Sequence, residues 1–243
     1  MLPFFQEKKN VLVLATNTDD ASILLWCLYE AHHKRFAIGN LSKNQDLAYS
    51  PLCTKFYPIP ENYTFEERSV EIIELIHHVV KENQIDIIIP SGFDSIKYIS
   101  QYKSKLSEIA KIIAVPSLNT IDVLGNKYTF SVFCKHNDIP HPKTFLLKEL
   151  NEIKNKAIKI DFPLLTKPLN MTGGTGIYKF NDEAKLYEYL SRERTDRSNA
   201  LPILLQEVIP CEDIDFNGFT INGRLKAWTI QRFIEISGNK ICI

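Results

Sequence analysis

The sequence predicts an α/β protein in two parts: an open parallel α/β sheet, then a domain built on antiparallel hairpins. Three observations predict it. Over the first 116 residues short apolar runs alternate with amphipathic stretches, the rhythm of strands joined by crossover helices. Pro140 and Pro142 then interrupt the chain and mark a domain boundary. Beyond them, glycine clusters and Asn222-Gly223 separate strand-like runs at hairpin spacing.

In the first part, Asn10 to Ala15 is a continuous apolar run, as expected of a parallel strand covered on both faces. Thr16 to Asp20 is polar and rich in helix-capping residues, and Ala21 to Ala31 repeats apolar residues at helical spacing. Phe36 to Gly39 reads as the next strand, Val70 to Val80 as a second amphipathic helix, and Ile85 to Pro90 and Ile112 to Pro116 as further strands. Ligands of such sheets sit beyond the carboxyl ends of the strands. Thr16–Asp19 and Pro90–Asp94 are therefore candidates to line a substrate cleft, although Asp19 and Asp94 equally suit capping the helices that follow. No Gly-x-Gly-x-x-Gly follows the first strand, which removes the main support for dinucleotide binding. His32-His33 and His77-His78 are sequence neighbours that cannot share a helix face, so they read as surface histidines.

In the second part, Asp122 to Asn137 reads as one helix and Glu149 to Ile160 as another, charged and amphipathic. The apolar run Phe162 to Leu165 ends at Lys167-Pro168, glycines and small polar residues follow, and Ile177, Tyr178 and Phe180 resume a strand pattern. That is a β-hairpin with a long flexible tip, because Gly173, Gly174 and Gly176 take backbone angles denied to other residues. Such a tip can fold down on a polyphosphate, with backbone N–H groups and the Thr172 and Thr175 hydroxyls aimed at oxygens and Lys167 adding a positive charge. An ordinary surface hairpin with a solvated lysine is the alternative. The lysine precedes the glycines, which sets the loop apart from a Walker A motif. Glu183 to Arg192 reads as a helix, Arg192 to Asn199 as a charged connection, and Ile203 to Pro210 as a strand. Asn222-Gly223 joins the strands Phe216–Ile221 and Leu225–Ile230. Alternation places Lys226, Trp228, Ile230 and Arg232 on one face, suited to a phosphoryl group or a carboxylate, or equally to solvent.

Composition excludes several classes. Twenty-nine basic and 29 acidic residues cancel, so no global field draws the chain to nucleic acid or to an anionic membrane. No apolar run approaches the roughly 20 residues that span a bilayer, and the charged N-terminal stretch does not read as a signal peptide. The five cysteines carry no Cys-x-x-Cys pair and read as reduced thiols of a cytoplasmic protein, not as a zinc site.

Five features occur in one order: Asn126-Lys127-Tyr128-Thr129-Phe130; Ile139-Pro140-x-Pro142; Lys167-Pro168 with the glycine-rich tip; Gln206-Glu207-Val208-Ile209-Pro210; and Glu212-Asp213. In this order they resemble the ATP-grasp superfamily, relatives of carbamoyl phosphate synthetase, biotin carboxylase and D-alanine–D-alanine ligase, across nearly the whole chain. The resemblance implies an α/β domain over residues 1–116 that precedes an ATP-grasp domain over 117–243. The latter would comprise a linker helix at 122–137, a small subdomain at about 140–208 and the start of a large subdomain at 209–243. It makes Lys127 and Lys167 the lysines that contact ATP, and Thr172, Gly173, Gly174, Thr175 and Gly176 the lid over the phosphates. Gln206, Glu207, Val208 and Ile209 become the hinge whose backbone pairs with adenine. Asp213 becomes the acceptor of the ribose hydroxyls, with Glu212 and Asp215 as alternatives. Lys167 and Arg232 are the catalytic candidates.

The activity implied is an ATP-dependent carboxylate–amine or carboxylate–thiol ligase acting through an acyl phosphate, with ATP and a small carboxylate as ligands, magnesium as metal, and a homodimer as a further expectation. The chain departs from the pattern twice. Cys211 stands where glycine usually follows the hinge proline. After Asp215 the sole remaining carboxylate side chain is Glu235, so the family's metal ligands are not matched, and no residue is assigned to metal. The chain thus reads as an ATP-grasp domain cut short and inactive as given. The rival reading is a nucleotide-binding module without catalysis.

Overall fold

The computed structural model describes residues 7–154, 161–169, 174–192, 199–211 and 214–232, and the chain divides into two compact units, Met1–Ile121 and Asp122–Ile243. The first unit runs β1 (Asn10–Ala15), α1 (Thr18–Glu30), β2 (Lys34–Asn40), α2 (Gln45–Ala48), β3 (Lys55–Ile59), α3 (Ile72–Asn83), β4 (Ile87–Pro90), α4 (Phe93–Ser107) and β5 (Lys111–Ile112), with α5 (Leu118–Gly125) at its end. All pairings are parallel, in the order β3-β2-β1-β4-β5. β1 shows why its sequence is apolar throughout. Leu12 and Leu14 join Ile76, Val79, Tyr98 and Ile99 of α3 and α4 on one face, while Val11, Val13 and Ala15 join Ala21 and Leu25 of α1 on the other.

The strand order reverses between β1 and β4, so the loops after these strands meet at the switch point. Thr16 N–H donates to Ser91 Oγ at 3.2 Å, and a Cβ on Gly92 would lie 2.8 Å from Thr16 Oγ1, an approach that requires glycine. Neither aspartate of these loops caps its helix. The Asn17 side chain accepts from Asp20 N–H at the start of α1, and Gly92 is the N-cap of α4. Asp19 is an exposed first-turn residue, and burial, followed by the nearby Glu66 charge, holds the Asp94 carboxyl above its ordinary range. His33, read as a surface residue, is 2% exposed and its Nδ1 accepts from Lys9 N–H, whereas its neighbour His32 is exposed. A tight turn with His32 at φ 60° directs the second ring inward.

The second unit runs α6 (Lys127–His136), β6 (Thr144–Leu147), α7 (Asn151–Lys154), β7 (Leu164–Pro168), β8 (Tyr178–Phe180), α8 (Glu183–Ser191), β9 (Ile203–Glu207), β10 (Ile214–Ile221) and β11 (Arg224–Arg232). β6, β9, β7 and β8 form an antiparallel sheet in that order. Its register sorts the side chains. Leu147, Leu164, Phe180, Ile203 and Leu205 share one face and pack with Ile153 of α7 and Leu186 and Leu190 of α8. Thr144, Leu146, Leu165, Lys167, Lys179, Leu204 and Gln206 share the other. The segment expected as one helix over 122–137 is two, because Asn126 adopts an extended conformation and caps α6 through bonds from Tyr128 and Thr129 N–H. Of the helix expected over 149–160, Asn151–Lys154 is observed and 155–160 lie outside the described residues.

β10 and β11 form a separate two-stranded sheet, turned by Asn222 and Gly223, both at positive φ. Phe216 and Trp228 stack on one face, with ring centroids 6.4 Å apart, beside Ile230 and Leu225, and Trp228 is 60% exposed. The register slips between Phe219 and Thr220, where Ala227 and Leu225 are the successive partners, so Lys226 is the extra residue of a bulge. Simple alternation therefore fails there: Leu225, not Lys226, continues the face of Trp228, Ile230 and Arg232. Among the described residues no helix is long and apolar enough to cross a membrane.

Candidate nucleotide site

β7 carries Lys167 into the interior, where it is 9% exposed, a rare setting for lysine. Its register partner on β9 is Leu204, and Gln206 lies opposite Leu165, so Lys167 and Gln206 are diagonal neighbours on one face, about 7 Å apart at that geometry. The end of β7 also receives Lys127. Its Nζ donates to the Pro168 carbonyl at 3.1 Å, and its N–H to the Leu169 carbonyl at 3.5 Å. α6 thereby brings a second ammonium group to the strand end that feeds the hairpin tip. Burial holds the Lys127 amine below the ordinary lysine range.

The return limb of the tip is a turn in which Ile177 N–H donates to the Gly174 carbonyl at 3.3 Å. Gly174 and Gly176 take φ of 72° and 75°, which favours glycine, and Thr175 is exposed between them. Thr172 and Gly173 lie outside the described residues, as do Glu212 and Asp213. At the other end of this face β9 stops at Glu207, and Val208, Ile209 and Pro210 leave the sheet, with Ile209 50% exposed. Cys211 is an exposed thiol. Arg232 belongs to the other sheet of this unit, opposite Ile214 on β11, so the two catalytic candidates stand on separate sheets.

Two neighbours of the site escaped the sequence reading. Thr144 opens β6, a strand of only four residues directly after a proline-rich break, too short for periodicity to mark it. Lys179 gains its place from the β7–β8 register, which sets it opposite Leu165 on the face of Lys167. The signal for it was present in the alternation of Ile177, Tyr178 and Phe180.

Comparison with known proteins fits this geometry. No family model matches the chain. The carbamoyl phosphate synthase large chain of Thermoanaerobacter sp. (strain X514) is 25% identical over 214 residues, covering 88% of this chain and 19% of that protein. The crystal structure of L-amino acid ligase from Bacillus licheniformis superposes with a TM-score of 0.68 at 14% identity, over 97% of this chain and 53% of that one. The biotin carboxylase domain dimer of Hydrogenobacter thermophilus 2-oxoglutarate carboxylase, solved with MgADP and bicarbonate, superposes with a TM-score of 0.58 at 20% identity, over 85% of this chain and 45% of that one. These proteins are members of one superfamily. The chain has the ATP-grasp fold. It spans about a fifth of the length of the curated relatives it matches. Within the ATP-grasp frame, the α/β unit comes first and the antiparallel sheet with Lys167 follows, as the five motifs in order imply.

Proposed function

We propose that this chain binds ATP and serves an ATP-dependent ligase that activates a small carboxylate as an acyl phosphate for attack by an amine or thiol. The observation that carries the reading is the end of β7, where Lys127 Nζ donates to the Pro168 carbonyl next in sequence to Lys167, beside a turn with two positive-φ glycines. Two ammonium groups on separate elements suit a chain of phosphates, since each acts as a point charge without demanding a planar partner. The diagonal step from Lys167 to Gln206 leads to the strand end Gln206–Ile209, whose backbone would meet the adenine edge. Thr172, Gly173, Gly174, Thr175 and Gly176 would close over the phosphates, Asp213 would accept from the ribose, and Arg232 would bind the carboxylate. Positioning and charge stabilisation are the whole contribution asked of these side chains.

Magnesium would neutralise charge on the phosphates when bound. Among the described residues no three His, Cys, Asp or Glu side chains come together to hold an ion, so no step is assigned to a metal on this chain. The second reading is a nucleotide-binding module without turnover. Calorimetry tests the shared premise. Wild type should bind ATP, and Lys167→Ala should weaken binding ten- to a hundredfold, since a charge-assisted contact contributes roughly 1.5–3 kcal/mol. No heat from the wild type, or equal affinity in the variant, would refute it.

A further inference from the structure

The segment that leaves β9 has to hold Val208 and Ile209 in one course if their backbone is to read a base, and a strand end frays without an anchor. The side chains of the two preceding residues supply the anchor. Glu207 Oε1 accepts Lys143 N–H at 2.6 Å, while Glu207 N–H donates to the Lys143 carbonyl at 3.0 Å. One residue thus holds both backbone groups of Lys143. Beside it, Gln206 Nε2 donates to Thr144 Oγ1 at 3.0 Å, and Thr144 Oγ1 donates to the Pro142 carbonyl at 2.8 Å. The hydroxyl has one proton, which goes to Pro142, so it is an acceptor toward Gln206. Both side chains therefore turn back onto the start of β6, and the bond to Glu207 is charge-assisted.

We propose that Glu207 is a positioning residue: through Lys143 its carboxylate fixes the course of Val208 and Ile209, and so favours a 6-amino over a 6-oxo purine. The two purine edges present donor and acceptor in opposite order at positions 6 and 1. A backbone held in one place matches only one of them, and a loosened one tolerates both. The selection of the base rests on the nucleotide reading above. The fixing of the backbone does not, because it belongs to the free protein.

Two measurements test it. In the free protein, Glu207→Ala should speed amide exchange at Lys143, Val208 and Ile209 by roughly tenfold or more, the loss of a charge-assisted bond. Glu207→Gln keeps an acceptor oxygen in place without the charge, so its exchange should fall between wild type and Glu207→Ala. In titrations with ATP and GTP, Glu207→Ala should bind ATP roughly tenfold more weakly and lose most of its ATP-over-GTP preference, while Glu207→Gln loses less of both than Glu207→Ala. Should Glu207→Ala not fold, Glu207→Asp, whose shorter arm falls short of Lys143, takes its place. Unchanged exchange at Val208 and Ile209, or a Gln variant as defective as the Ala variant, overturns the proposal. A wild type that binds neither nucleotide refutes the nucleotide reading instead, and the exchange result then decides the role of Glu207 alone.

Discussion

At the residue scale, Lys127 is the most informative group. Burial disfavours its charged form, so it gives up its proton at a lower pH than the ordinary value of 10.5. The unfolded chain holds that proton more readily. Lys127 alone therefore makes folding more favourable as pH rises from the lowered value toward the ordinary one. Ligand binding runs the opposite way, because an anion requires the protonated form. ATP affinity measured from pH 7 upward should hold steady and then fall as pH passes through the lowered pKa, before an exposed lysine would titrate. Lys127→Arg should extend the plateau, since guanidinium stays charged throughout this range. A wild-type curve as flat as that of the arginine variant would remove Lys127 from the phosphate site.

At the scale of elements, the β7–β8 hairpin joins a buried strand to a turn that depends on two left-handed glycines. Glycines and the exposed Thr175 form the tip side of this turn, so amide exchange at Thr175 and Gly176 should be fast in the free protein and slow several-fold when ATP is added. Equal rates with and without ATP would show that the turn is no lid. How far these elements could be read from the sequence followed how local their causes are. β1 and β4 are continuous apolar runs because side chains pack on both faces, and Asn222-Gly223 fixes its hairpin within two residues. Local signals also put Lys167 at a strand end. Register is a different matter. The bulge that displaces Lys226 and the pairing that brings Lys179 to the face of Lys167 depend on the register with a partner strand, and His33 bonds to Lys9, 24 residues before it. The break at Asn126 was local but ambiguous, since asparagine both tolerates helices poorly and caps them well. The clamp of Glu207 on Lys143 joins residues 64 apart in sequence, a separation that no periodicity encodes.

At the scale of the molecule, the proposed module without turnover makes recognition and catalysis separable. Lys127 and Lys167 lie on α6 and β7. On that reading the 243-residue chain should bind ATP with little dependence on magnesium and release no ADP above background across a panel of amino acids and small carboxylic acids. Substrate- and magnesium-dependent ADP release from the chain alone would show that the metal site lies elsewhere on it. Each unit pairs a packed aromatic group with one exposed tryptophan. The buried aromatic cluster of the first unit is built from Phe65, Tyr98 and Tyr102, while both tryptophans of the chain, Trp26 and Trp228, are more than half exposed at 53% and 60%. Indole emission from this protein is therefore already that of a wet chromophore in the native state, and a denaturation followed at its red edge would register little while the core dissolved. The two indoles sit one in each unit, on α1 and on β11. With Trp26 changed to phenylalanine, the remaining light comes from the hairpin that carries Arg232, and a quencher that reaches Trp228 becomes a gauge of what covers that face.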